Sequence, residues 1–363
     1  MHPFEMIEQQ QLPRSARAIF TFAVVGNPNA GKSSVFNQLT GLRQKTGNFP
    51  GVTVEKKSGK VKLDKKTEIK LVDLPGTYSF YPTSQDERIV VQTLTNPADE
   101  NFPDAIIYIA DVSKLEKHLL LFTQVKDLGL PVILALNMAD IAEKEEIQID
   151  TDYLSQQLDV PVIPISGRTG SGLELLKLEM LDILATSSGF IAHQPFYQLS
   201  VKGIQLADLV KSELPDVLTD FQAVLIAHHA QWLPFLNARQ QAAIADGIQE
   251  FGFVSLQQQV EETMYRFDHF TPIVQTAIRR AGVHSTRLTE RIDAILTNWI
   301  VGPIIFFAIM FLVFQAIFAW AEYPMGWIES IFGEVGNGVK YVLGSGWLSS
   351  LLADMLPHRQ WPA

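Results

Sequence analysis

Gly26-Asn27-Pro28-Asn29-Ala30-Gly31-Lys32-Ser33 decides the fold. The stretch fits G-x-x-x-x-G-K-[ST] and lies between an apolar run, Phe20 to Val25, and a helical run, Ser34 to Leu39. A strand entering and a helix leaving make it a phosphate-binding loop. Its glycines let the backbone from Gly26 to Ser34 close around a chain of phosphates, the helix N-terminus adds its positive dipole end, and Lys32 reaches the terminal phosphates. Ser33 is placed to ligate magnesium.

Four more segments follow in the order that guanine-nucleotide chemistry requires. Gly47-Asn48-Phe49-Pro50-Gly51-Val52-Thr53 supplies Thr53 in a mobile, glycine-rich setting, where a threonine closes over a γ-phosphate and its magnesium and relaxes after hydrolysis. Asp73-Leu74-Pro75-Gly76 ends the run Ile69 to Val72; there an acid holds the magnesium through water and a glycine meets the γ-phosphate. Asn137-Met138-Ala139-Asp140 ends the run Val132 to Leu136, at a strand end where ligands of open α/β sheets gather. A carboxylate at Asp140 accepts two hydrogen bonds from guanine N1 and N2. Adenine has no such donor pair, so the spacing selects GTP over ATP. Ser166-Gly167-Arg168, after Pro161 to Ile165, presents a backbone N–H to guanine O6. The expected nucleotide contacts are Gly26, Asn27, Pro28, Asn29, Ala30, Gly31, Lys32, Ser33, Ser34, Asp73, Gly76, Asn137, Met138, Asp140, Ser166 and Gly167. Ser33, Thr53 and Asp73 are the expected magnesium ligands.

Of 363 residues, 47% are hydrophobic and 19% charged, which fits packed cores and excludes disorder. The length exceeds the usual domain of about 100 to 200 residues, so more than one unit is expected. A net charge of -10 argues against broad contact with nucleic-acid phosphates. With 0 Cys, disulfides and thiolate metal centres are excluded. The first 17 residues carry no apolar export signal.

Apolar strands near 20–25, 69–72, 105–110, 131–136 and 161–165 alternate with helical stretches, and Val52 to Leu63 adds another strand. The expectation is a mainly parallel six-stranded α/β sheet, the Ras-like P-loop GTPase arrangement, over residues 19–185 behind a tail at 1–18. A small helical bundle is expected over 186–290, where Val260, Met264 and Phe267 mark one apolar face of a helix. From Asn298 to Ala321 no charge interrupts the chain, enough to cross about 30 Å of hydrocarbon. Arg279, Arg280, Arg287 and Arg291 precede this span and Glu322, Glu329 and Glu334 follow it, so both preceding domains are expected on the cytoplasmic side. Trp327, Tyr341 and Trp347 suggest a tail, 322–363, resting at the bilayer interface.

These segments together resemble the bacterial ferrous iron transport protein B family, FeoB. The resemblance runs through GNPNAGKSSVFNQLTG, TGNFPGVTVEKKSG, DLPGTYSF with SQDERIV, and NMADIAEKEEIQID with LDVPVIPISGRTGSG, and resumes at RIDAILTNWIVGPIIFFAIMFLVFQ and EYPMGWIE. It implies a cytoplasmic GTPase domain, a helical domain that modulates nucleotide affinity, and a membrane domain that passes Fe²⁺ inward across the bacterial inner membrane. It also implies that Asn29 helps hold an activating potassium ion in place of an arginine finger. The resemblance sets Asn29, Lys32, Thr53 and Gly76 as the catalytic group. Lipid, small Feo accessory proteins and further copies of the chain are the partners it implies.

Two departures stand out. Many small GTPases have a water-orienting glutamine after the DxxG glycine, whereas Thr77 and then Tyr78 stand here, so slow intrinsic hydrolysis is expected. Past Leu348-Ser349-Ser350-Leu351-Leu352-Ala353-Asp354 the family's long membrane domain is replaced by Met355 to Ala363, so a shortened front portion of the transporter is expected. An alternative of another class is a membrane-tethered GTPase switch that transports nothing. His228-His229 share no helix face, which argues against a joint metal site, and the acids Glu143, Glu145, Glu146, Asp150 and Asp152 read as a solvated face. Asp86 and Glu87 read equally as carriers of the nucleotide state or as ordinary helix N-terminal acids.

Overall fold

The computed structural model describes residues 19–41, 44–48, 55–186, 194–214, 218–280, 292, 295–320 and 322–343. Two compact units divide the chain, 1–281 and 282–363.

The first unit opens with β1 (Thr21–Val25), α1 (Lys32–Thr40), β2 (Gln44–Asn48), β3 (Glu55–Lys62), β4 (Glu68–Asp73) and α2 (Gln85–Thr95). It continues with β5 (Ala105–Asp111), α3 (Leu115–Asp127), β6 (Val132–Asn137), α4 (Ala139–Lys144), β7 (Ile147–Ile149), α5 (Thr151–Leu158), β8 (Val162–Pro164) and α6 (Leu173–Thr186). Seven of these strands form one sheet in the order β2-β3-β4-β1-β5-β6-β8. The expected six-stranded, mainly parallel core is present, and β2 adds a seventh strand at the edge, antiparallel to β3. β3 also runs antiparallel to β4, while β4, β1, β5, β6 and β8 are mutually parallel.

All seven residues of β5 and all six of β6 are buried, as continuous apolar strands covered on both faces must be. Alternate strand residues serve opposite layers. Phe22, Val24, Ile107 and Ile109 pack with Val35, Phe36 and Leu39 of α1 and Leu176 and Met180 of α6. Ala23, Val25, Ile106 and Leu134 pack with α2, α3 and α5 through Val90, Leu119 and Leu154. Strand order reverses at β1, so its carboxyl end lies at a topological switch point, where α/β sheets bind ligands.

Four helices follow: α7 (Val201–Glu213), α8 (Asp220–His229), α9 (Ala238–Glu250) and α10 (Ser255–Ala277). They share a core of Leu206, Val210, Val224, Ile226, Leu233 and Ile244. The bundle also enters the sheet's own core, because Phe221 and Leu225 of α8 and Phe270, Val274 and Ala277 of α10 belong to the layer over α3. A last strand, β9 (Ile278–Arg280), pairs antiparallel with β7.

Helix α10 is rotated from the orientation its apolar periodicity implies. Val260, Met264 and Phe267 are exposed by 50%, 62% and 36%, while Gln258, Glu262 and Arg266 are buried. The cause is the far end of the helix. Phe270, Val274 and Ala277 insert into the sheet's core, each large apolar side chain contributing roughly 1.5–3 kcal/mol, and four-residue spacing then turns 258, 262 and 266 inward. That buried face is matched by charge. Arg266 sits 2.7 Å from Asp127 and 2.8 Å from Glu262, and Gln124 Nε2 donates to Glu262 at 2.9 Å. The Tyr81 hydroxyl donates to Glu262 as well, and Asp127 accepts backbone N–H groups from Phe196 and Tyr197.

In the second unit, Asn298 Oδ1 caps the helix start by accepting from the N–H of Ile300 and Val301, and α11 (Val301–Gln315) follows. It runs through a π-turn, Ala316–Trp320, to α12 (Glu322–Leu343). Residues Val301–Phe318 form the one helix among the described residues long and apolar enough to cross a membrane, and none of it is buried. Trp347 and residues beyond 343 lie outside the described residues.

Removing one partner of a buried ion pair strands the other charge. Asp127→Ala is therefore expected to lower the stability of the first unit by about 3–5 kcal/mol in denaturant titrations. Val260→Gln, on the outer face of α10, is expected to change it by no more than about 0.5 kcal/mol.

Candidate functional site

The loop after β1 is shaped by close backbone approach. A side chain at Gly26 would place a Cβ 2.3 Å from the Ile109 carbonyl oxygen, and one at Gly31 would lie 2.2 Å from Asn137 Nδ2. Asn29 takes φ 63° and Gly31 φ 86°, so the chain turns through left-handed conformations before α1 begins. Gly76 packs flat on this loop: a Cβ there would stand 2.9 Å from Lys32 Nζ and 3.0 Å from the Pro28 nitrogen.

Lys32 is a cation with only 8% exposure, its Nζ donating to the Gly26 and Asn27 carbonyls at 3.0 Å each. Burial pushes its ammonium down to about 8, and Asp73 opposes that shift. Burial also raises the Asp73 carboxyl, against the pull of Lys32 and Lys57. Asp73 Oδ2 lies 3.4 Å from the Ser33 hydroxyl, while its buried Oδ1 has no hydrogen-bond partner. An unsatisfied carboxylate oxygen beside a hydroxyl is a donor set suited to a hard divalent cation. Asn29, Lys32, Ser33, Asp73, Gly76 and Asp86 all line one open cleft of about 690 Å³.

The second half of the site lies at the ends of β6 and β8. Asn137 Nδ2 donates to the Ala30 carbonyl at 2.8 Å, and its Oδ1 accepts the Gly167 N–H at 2.8 Å. One buried amide thus ties the phosphate loop to the loop after β8. Met138 turns through φ 67° into α4, whose first turn carries Asp140. The Asp140 carboxylate is held below the usual carboxylate range by hydrogen bonds from Arg168 and then from the Ser166 hydroxyl. Ser166 is fully buried, and its carbonyl accepts Gly170 N–H while its hydroxyl accepts Thr169 N–H.

Three contributions are invisible in the linear pattern. Tyr108, fully buried in β5, places its hydroxyl 2.9 Å from Asn27 Oδ1 and donates to the His118 carbonyl at 2.6 Å, backing the phosphate loop from beneath. Arg168 meets Asp140 in an ion pair that the weak Ser-Gly-Arg pattern does not announce. Glu87 braces the segment past Gly76, since its Oε2 accepts the Thr83 N–H at 2.7 Å and its Oε1 lies 3.3 Å from the Thr77 hydroxyl.

Thr77 is fully buried and donates to the Ser79 carbonyl, whereas Tyr78 is 59% exposed. Gly47 and Asn48, expected in a loop, belong to β2; Thr53 lies outside the described residues. The two histidines of α8 face the sheet side and the bundle. His229 Nε2 meets the Phe80 carbonyl at 2.7 Å and His228 Nδ1 meets Ser255 Oγ at 2.5 Å, and burial pushes them down to about 4 and about 3. Among the described residues no three His, Asp or Glu side chains gather as a metal cluster.

Comparison with known proteins adds a family. The family model described as Ferrous iron transport protein B matches residues 20–180. The Fe(2+) transporter FeoB of Leptospira interrogans is 33% identical over 349 residues, spanning 92% of this chain and 48% of its own length. The chain thus spans about half the length of such relatives. The cytosolic domain of L. pneumophila FeoB is 32% identical, with a TM-score of 0.58, covering 71% of this chain and 99% of that one. A GDP-bound variant of the S. thermophilus FeoB G-domain is 31% identical, with a TM-score of 0.58, covering 72% of this chain and 100% of its own.

Asn137→Ala leaves the Ala30 carbonyl and the Gly167 N–H without their partner in a buried place. The variant is expected to lose about 1–3 kcal/mol of stability in thermal or urea unfolding, with amide exchange rising first at Gly167.

Proposed function

This chain belongs to the FeoB family, and we propose from that premise that it binds and hydrolyses GTP as the nucleotide-driven portion of a bacterial inner-membrane Fe²⁺ transporter. The observation that carries the reading is Asn137. Its two hydrogen bonds bring the phosphate loop, the Asp140 helix and the loop after β8 to one edge of the sheet. That arrangement suits a ligand with phosphates at one end and a hydrogen-bonding ring at the other.

In this reading the backbone from Gly26 to Ser34 cradles the phosphates, and Lys32, already drawn toward the loop carbonyls, supplies positive charge to the terminal ones. Gly76 leaves no side chain between its loop and Lys32, so its backbone can approach the γ-phosphate. Asp140 and Gly167 read guanine. Ser33, Thr53 and Asp73 would hold magnesium, which supplies charge neutralisation during phosphoryl transfer, and Asn29 would hold potassium. Catalysis is then electrostatic and positional. No side chain orients water from position 77, because the Thr77 hydroxyl is turned to Ser79 and Glu87, which supports slow hydrolysis.

Val301–Phe318 would anchor the chain in lipid, with the arginines before it keeping the GTP-binding unit in the cytoplasm. Small Feo proteins and further copies of the chain are the partners that accompany this assignment.

Three measurements test it. The full chain in detergent with magnesium should retain labelled GDP and ignore ADP, and Asp140→Asn should lower GDP affinity roughly hundredfold or more while admitting xanthosine diphosphate. Equal retention of adenine nucleotides would sink the assignment. GTP turnover without potassium should stay at or below about 10⁻² s⁻¹, and potassium should speed the wild type but not Asn29→Ala. In cells lacking their own iron uptake, transport by the complete protein should fall with Asp140→Asn.

A further inference from the structure

We propose that Arg168 is an internal competitor for the guanine seat, occupying the base-reading carboxylate until the ring displaces it. The inference rests on the guanine-binding reading above and adds a residue that sets the rate of entry.

Both Nε and Nη2 of Arg168 donate to the same oxygen of Asp140, Oδ2, the Nε contact measuring 2.9 Å. A carboxylate offers roughly four lone-pair sites, two on each oxygen. Guanine presents its N1 and N2 donors side by side and needs both oxygens at once. With the guanidinium filling Oδ2, a base cannot make its pair of bonds until Arg168 lets go.

The backbone beneath is not free to move with it. Gly167 N–H is held by Asn137, Ser166 N–H by the Ser171 carbonyl at 2.9 Å, and Gly170 N–H by the Ser166 carbonyl at 2.8 Å. Release is therefore a swing of one side chain, and that side chain is 66% exposed while Asp140 is 16% exposed. Water and salt weaken an exposed pair, so the competitor is reversible and its effect is several-fold.

Stopped-flow binding of fluorescent GDP to the full chain in detergent with magnesium, comparing wild type, Arg168→Ala and Arg168→Lys, tests the proposal. Arg168→Ala is expected to raise the association rate roughly two- to fivefold with the dissociation rate unchanged, and Arg168→Lys to fall between. Raising ionic strength is expected to shrink the gap between wild type and Arg168→Ala. In an Asp140→Asn background read with xanthosine diphosphate, Arg168→Ala is expected to change nothing. Faster dissociation in Arg168→Ala would instead make Arg168 a clamp on the bound ring and overturn the proposal. So would unchanged association, or a gain that persists in the Asp140→Asn background. Failure of wild type and variants alike to hold any guanine nucleotide would remove the underlying reading and this inference with it.

Discussion

A single buried amide couples the two halves of the site. Asn137 stands at the end of β6, where its two hydrogen bonds, to Ala30 and from Gly167, span loops that leave β1 and β8. Each loop also carries hydrogen bonds of its own, Lys32 Nζ to the Gly26 and Asn27 carbonyls in one and Ser166 N–H to the Ser171 carbonyl in the other, and Asn137 joins the two. Gly31 and Gly26 are glycines because the neighbouring Asn137 and Ile109 leave no room for a Cβ, so the loop's composition and the amide's position are one constraint. The sheet makes this possible because β1, β5, β6 and β8 run parallel, so the loops after β1, β6 and β8 all leave its carboxyl edge.

Much of this was legible in the chain because local patterns carry it. Glycine and lysine spacing, apolar strands buried on both faces and the position of Asp140 after β6 are written in consecutive residues. What escaped depends on partners far along the chain. The rotation of α10 needed knowledge of Asp127 and Gln124, more than a hundred residues earlier, since Glu262 and Arg266 look like surface charges until those partners are known. Tyr108 reads as one more strand aromatic until its hydroxyl meets Asn27. Strand β2 escaped because Gln44–Asn48 is polar and becomes a strand only by pairing with β3.

The bundle and the nucleotide-binding sheet share more than a boundary. Phe80 gives its N–H to Gln124 and its carbonyl to His229, and Tyr81 donates to Glu262, so the segment just past Gly76 is held from α3, α8 and α10 together. Any displacement of that segment with nucleotide state has to disturb side chains of the bundle. Buried and polar, these contacts are directional, so they favour one arrangement over a continuum of slightly shifted ones.

The pairing of β9 with β7 gives the chain a mechanical route. Ile147–Ile149 begins a few residues after Asp140, and its antiparallel mate Ile278–Arg280 is the final described stretch of the first unit. Tension on the polypeptide beyond Arg280 would load a short zipper whose opposite thread leads straight back to α4, the helix whose first turn carries Asp140.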